Sequence, residues 1–231
     1  MQLNVLTGRD IASVSEDDFV AALAAAPSVR TWGQLDSVTG GLSAPSKMPG
    51  HAWSISAKIC RTGSQLRKVK GSVCSGCYAL KGRYVFKNVE AAMQRRLDRL
   101  KSDPIAWAVG MVQAIRKSGD THFRWHDSGD LLGVNHYKLI CLVAKYTPEV
   151  SHWLPTREKQ YVSGITPPTN LVVRLSAAMI GVAYTNNEHQ HTSSVSAGVG
   201  FQCQAPDNDG KCGSCRACWS SAIRNVDYRK H

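Results

Sequence analysis

The sequence predicts an α/β protein, a partial or distorted (β/α) barrel of parallel strands with cysteine-rich metal-binding loops. Three observations lead there. Strand-like runs such as "THFRWHD", "VSHWLPT" and "NLVVRLS" alternate with helical runs. The last of them carries a continuous apolar stretch, the pattern of a parallel strand covered on both faces. Seven of the eight cysteines fall in two short, glycine-containing segments.

Taken in order, "SEDDFVAALAAAP" reads as a helix, with Ser15 as N-cap, acids in the first turn and Pro27 as the stop. From about 36 to 75 the chain is rich in Gly, Ser and Pro and reads as loop with short strands. In "YVFKNVEAAMQRRLDRLK" one helical face gathers Val89, Ala92, Met93, Leu97 and Leu100. Asp103 followed by Pro104 starts a second helix through "IAWAVGMVQAIRK". Next come a strand running into a loop ("THFRWHDSGD"), a helix ("NHYKLICLVAKYTP") and two strands ("VSHWLPTRE", "NLVVRLSAAM"). Residues 1–231 are expected to form a single domain, with a helical and loop extension to about 45 and a cysteine-rich segment at about 200–220.

Of the 231 residues, 43% are hydrophobic and 19% charged, as in an ordinary globular protein. No apolar stretch is long enough to span a bilayer, and the start lacks a charged-then-apolar leader, so no membrane association and a cytoplasmic location are expected. In a reducing compartment, eight cysteines in a chain of this size point to metal rather than to a disulfide framework. The 28 Lys and Arg against 17 Asp and Glu give a net charge of +11, which favours nucleic acid or another phosphate-bearing ligand without choosing between them. Several of these cations, among them Arg61, Arg67 and Lys81, flank the first cysteine group and are expected to favour its thiolates.

Parallel α/β folds collect ligands at the carboxyl ends of their strands. There the sequence places His126, Asp127, Ser128 and Asp130, then Thr156, Arg157 and Glu158, then Ser176. His126, Asp130 and Arg157 are the expected catalytic or ligand-facing residues, in one cavity near a metal centre. The expected metal ligands are Cys60, Cys74 and Cys77, and Cys203, Cys212, Cys215 and Cys218. Two successive C-x2-C steps in "KCGSCRACW" resemble the ferredoxin run that holds a [4Fe-4S] cluster, and zinc is the alternative. The upstream three could hold a cluster with one iron open, or share one with the downstream four. Cys141, in "YKLICLVAKY", reads as a buried core residue.

The ordered motifs "MPGHAWSISAKIC", "CSGCYALKGRY", "FRWHDSGDL", "LPTRE", "NLVVRLS" and "KCGSCRACW" resemble the phage family called gene product 88, over roughly residues 45 to 220. The resemblance implies a phage-encoded iron-sulfur protein of the host cytoplasm. Three cysteines ahead of βα units are also similar to radical S-adenosylmethionine enzymes. The chain departs from them in having thirteen residues between Cys60 and Cys74, and no glycine-rich methionine-binding strand directly after the cysteines. Whether the protein is an enzyme stays open at this point. Two other readings stand beside the iron-sulfur one: a zinc-stabilised nucleic-acid-binding module, and a redox or regulatory partner of a host protein.

Overall fold

Ser15 begins helix α1 (Glu16–Ala25) as its position suggests: its Oγ accepts the Asp18 N–H at 3.1 Å, and three acids occupy the first turn. The structure, a computed structural model, describes residues 11–28, 30–184 and 190–230. A second helix, α2 (Trp32–Thr39), follows, and its second half runs into the stretch expected to be loop. It starts on a capping box between Thr31 and Gln34 and ends at Gly40 in the left-handed region. That box is a T-x-x-Q pattern, legible but overshadowed by the glycines that follow.

Helix α4 (Lys87–Ser102) buries Met93, Leu97 and Leu100, whereas Val89 and Ala92 of the expected face are only half-buried. Arg96 is buried beside them, its Nε donating to the Gly41 carbonyl at 2.7 Å. Asp103 caps α5 (Pro104–Ser118) through the Ala106 N–H, with Pro104 in the first turn, as the sequence predicts. A short helix α3 (Arg61–Leu66) lies between the first two cysteines, and α6 (Val134–Lys145) and α7 (Lys159–Val162) follow later strands.

Among the described residues seven strands form one sheet, β1 (Ala52–Trp53), β2 (His122–Trp125), β3 (Ser151–Thr156), β4 (Leu171–Ser176), β5 (Thr192–Val195), β6 (Phe201–Gln202) and β7 (Asn225–Tyr228). Their order is β1-β2-β3-β4-β5-β7-β6, and every neighbouring pair is parallel. Among the described residues the sheet is not closed: β1 and β6 each have one strand neighbour, so the parallel α/β expectation holds while the expected barrel gives way to an open sheet. Strands β5 to β7 are not evident from the sequence, because "TSSV", "FQ" and "NVDY" are short and carry too little apolar pattern to stand out.

The two faces of the sheet differ. Phe123, Trp125 and Leu154 join Trp53, Trp107, Ile115 and Ile140 in the core shared with the helices, where Trp53 and Trp107 meet edge to face at 5.1 Å. Helices α1 and α2 pack on α5, so Phe19 and Leu35 are buried too. The alternate positions, including Arg124, Trp153 and Arg174, face the other way, and the segment from 212 to 224 folds over them. Among the described residues no helix is long and apolar enough to cross a membrane.

Candidate functional site

The first cysteine loop is built from tight turns, each held by a serine or by a distant carboxylate. Ser56 caps the turn Ala57–Ile59, and Cys60 then opens α3 with no side-chain cap of its own. The cap comes from 96 residues away: Glu158, fully buried, accepts the Thr62 N–H at 2.8 Å and the Thr62 hydroxyl at 2.9 Å. Ser72 caps the turn that carries Cys74 and donates to the Leu66 carbonyl. Backbone bonds from Val73 to Ala178 and from Ile180 to Gly71 tie the loop to the end of β4.

Gly63 explains how the thiols come together. A Cβ there would stand 3.0 Å from Cys60 Cβ and 3.7 Å from the sulfurs of both Cys60 and Cys74. A side chain there would press on Cys60 Cβ by a few tenths of an ångström while meeting both sulfurs at ordinary contact distance, so glycine relieves a tight spot between the two. Burial is the main cause that pushes the Cys60 thiol well above its ordinary pKa, with Asp130, the Cys77 and Cys74 thiols and Glu158 adding to it. Cys74 is raised mainly by burial and held back by Arg157 and Arg67. At Cys60 and Cys74 the expected cationic activation is therefore overridden by desolvation.

Asp130 and Arg157 thus lie beside Cys60 and Cys74. The Asp130 carboxylate accepts the Thr156 hydroxyl at 2.5 Å and the amides of Leu131 and Arg157 at 2.8 and 2.9 Å. Burial nevertheless pushes its pKa up to about 6. His126 goes elsewhere. It sits at φ 58, a left-handed backbone that aims its ring into the helix-side core between Trp53 and His136. Among the described residues neither of its ring nitrogens meets a partner in hydrogen-bond geometry, and burial pushes its pKa down to about 3. Asp127 accepts hydroxyls from Ser54, Ser43 and Tyr84, the Ser128 hydroxyl has no partner, and Ser176 accepts the Ser193 hydroxyl.

The second group forms over the inner face. Cys212 N–H bonds the Lys47 carbonyl, Cys215 N–H bonds the Cys212 carbonyl, and Gly210 and Gly213 take left-handed angles that wrap the chain. The Cys212 thiol is raised by burial and by the neighbouring Cys203 and Cys215 thiols. Burial pushes Cys218 up to about 11; its sulfur lies 3.2 Å from the Tyr228 hydroxyl, and Cys203 is near enough to add to the shift. All eight cysteines are free thiols. Cys141 packs against the core partly buried, and burial pushes its thiol up to about 12.

Two arginines that sequence reasoning passes over organise the inner face. Arg124 stacks its guanidinium 4.5 Å from the Trp153 ring and reaches Met48 Sδ, Tyr78 Oη and the His126 carbonyl. It is close enough to Cys212 and Cys218 to lower both thiols. Arg174, with no exposed surface, donates to carbonyls of Thr192, Ala217, Cys218, Ser220, Ile223 and Arg224. A lone arginine inside each of two otherwise apolar strands is the available signal. Two open surface pockets, of about 500 and 560 Å³, lie away from both cysteine groups, beside β5 to β7 and between α1 and α6. Among the described residues no group of three His, Cys, Asp or Glu side chains is set to hold a single metal ion.

Because Glu158 supplies the missing cap, Glu158→Ala leaves the Thr62 amide without its partner and is expected to cost about 1–3 kcal/mol. Urea unfolding reads the loss, and faster alkylation of Cys60 by iodoacetamide reads the loosened loop. Unchanged Cys60 reactivity would show that the carboxylate does not hold it.

Fold and site together define a class: an open, all-parallel α/β sheet with a loop of three cysteines tied to the end of β4 and a segment bearing four that folds over the face opposite the helices. The chain belongs to the Gene product 88 family, whose profile matches residues 25–221. No curated protein and no solved structure matches it.

Proposed function

We propose that this is a phage-encoded iron-sulfur protein of the host cytoplasm, its seven grouped cysteines holding one or two [4Fe-4S] clusters, with an anionic ligand as partner. The observation that carries the reading is the mutual placement of the thiols. Cys60 and Cys74 flank Gly63 with Cys77 in electrostatic reach, and downstream Cys203 is within such reach of both Cys212 and Cys218, with Cys215 in reach of Cys212. Free thiols grouped in this way, Cys74 buried and the other six half-buried, suit a cofactor that takes one thiolate per iron, around a volume and not at a point. Cys203, Cys212, Cys215 and Cys218 would hold one cubane. Cys60, Cys74 and Cys77 supply one thiolate fewer than such a cluster has irons, leaving a corner for an external ligand beside Asp130 and Arg157.

When bound, such a cluster supplies electron transfer or an open iron as a Lewis acid. The chain's own contribution is charge: Arg124 beside the second group and Arg157 beside the first offset negative thiolates. The open sheet is, in this reading, related to the barrels of radical S-adenosylmethionine enzymes.

Protein purified without air is expected to be coloured and to contain iron and acid-labile sulfide. Cys215→Ser and Cys74→Ser should each lower both contents. Because cluster binding contributes to folding, each variant also unfolds at lower temperature than the parent. Colourless protein with stoichiometric zinc from iron-replete cells would replace iron with zinc in this proposal.

A further inference from the structure

The loop that carries the first cysteine group also presents a surface that the thiols do not use. Between Asp36 and Glu90 the chain has no carboxylate side chain. Lys68, Lys70, Lys81, Arg83 and Lys87 from this stretch are exposed, and among the described residues their side chains make no hydrogen bond or ion pair. Two aromatic rings stand among them, Tyr78 at 50% exposure and Phe86 at 56%.

Both residues are held in place, Tyr78 through its side chain and Phe86 through its backbone. The Tyr78 hydroxyl donates to the Asp127 carbonyl at 2.6 Å, and its ring lies 5.7 Å from that of Tyr84, itself bonded to the Asp127 carboxylate. Phe86 sits at the junction of two hydrogen-bonded turns: its N–H bonds the Arg83 carbonyl, and its carbonyl accepts the Glu90 N–H that begins α4. A large apolar ring kept in water beside uncompensated cations is costly unless something covers it.

We infer that residues 78 to 87 form a binding surface for single-stranded nucleic acid, Lys81, Arg83 and Lys87 meeting phosphates while Tyr78 and Phe86 stack on bases. Open base faces are what an exposed, fixed ring can use, and they exist only where the strand is unpaired. The segment consists of two 3-10 turns, Tyr78–Leu80 and Gly82–Val85, and offers no long helix or ribbon to enter a duplex groove. Nor does it offer the amphipathic helix by which a basic, aromatic segment lies on a membrane. The inference names the anionic partner of the reading above and does not depend on the clusters.

The test uses the full chain, purified without air, with iron content measured on every sample. A fluorescein-labelled dT20 is titrated by anisotropy at several salt concentrations, beside a duplex of equal length and vesicles of phosphatidylcholine and phosphatidylglycerol. We expect dT20 to bind more tightly than the duplex. Phe86→Ala should weaken dT20 binding about 5- to 100-fold with little change in salt slope, and Phe86→Trp should restore it. Lys81→Gln with Arg83→Gln should flatten the slope of log affinity against log salt by about 1.4, about 0.7 for each phosphate no longer neutralised. The surface positions are far from the buried core, so unchanged iron content and thermal midpoint are expected in all three.

Absence of dT20 binding at low salt overturns the inference, whatever the iron content. So do equal affinity for duplex, affinity indifferent to both sets of variants, or vesicle binding that dT20 does not displace. Protein without iron that still binds dT20 in the expected manner would instead defeat the cluster proposal and support this one.

Discussion

Arg174→Met is expected to lower stability by about 4 kcal/mol and to release the second cysteine group. The guanidinium has no carboxylate partner; it is satisfied by six carbonyls, four of them from residues 217 to 220 and 223. Two of the six bonds, to Thr192 and Ala217, are fully buried, so water does not replace the missing donor there. Each buried acceptor left bare costs about 1–3 kcal/mol. Because the same side chain fixes the carbonyls on both sides of Cys218, its removal should also expose residues 203 to 224 to limited proteolysis. Arg174→Lys should recover less than half, since one ammonium cannot reach both ends of that arc. A urea midpoint unchanged in Arg174→Met would sink this account of the segment.

Acid should destabilise the protein at a pH where most carboxylates are still ionised. His126, His136 and His152 are buried and neutral, pushed down to about 3, well below normal and about 3 respectively, with burial the leading cause each time. Trp125 donates to His152 Nδ1 at 3.3 Å, which leaves Nε2 as the protonated nitrogen facing the Thr147 hydroxyl at 2.8 Å. The unfolded chain takes up protons near pH 6.5 that the folded chain refuses, so this stability is complete above about 6.5 and is lost as pH falls toward 3. Asp130 works in the opposite sense. Its raised pKa, about 6, makes the folded state the better proton binder between about 4 and 6, and offsets part of the loss. Three histidines against one aspartate give a net fall of about 3 kcal/mol between pH 7.5 and 5.5. Denaturant midpoints across that range measure it, and His136→Phe should flatten the dependence by about one third. A flat profile would mean that these imidazoles are solvated.

Much of the local structure is written in short range. Ser15 with Asp18, and Asp103 with Pro104, mark helix starts that the structure keeps, and the two-residue cysteine spacings announce tight thiol-bearing turns. What is not legible depends on partners distant in sequence. Nothing near Cys60 says that Glu158 caps its helix, and nothing near Cys218 says that Arg174 gathers its carbonyls. His126 looks like a site residue because it follows a strand; a left-handed backbone angle, invisible in the sequence, turns it into the core instead. The closing strands escape notice because β5 and β7 are stabilised by polar ladders, such as Ser194 with Asp227, rather than by an apolar run.

The strand order carries a consequence for how the chain is assembled during synthesis. Strands β1 to β5 can pair successively as they leave the ribosome, each beside the one before it. Then the sequence breaks: β6 has no neighbour but β7, which is made after it and slots between it and β5. Until Asn225–Tyr228 emerges, Cys203 has no Asp227 carbonyl to bond and Cys218 no Tyr228 hydroxyl beside its sulfur. A nascent chain therefore has the partners of its first cysteine loop once residue 180 has emerged, and waits for Asn225–Tyr228 to organise the second. Removing only the last strand would leave the upstream thiols in place while unmooring the downstream four.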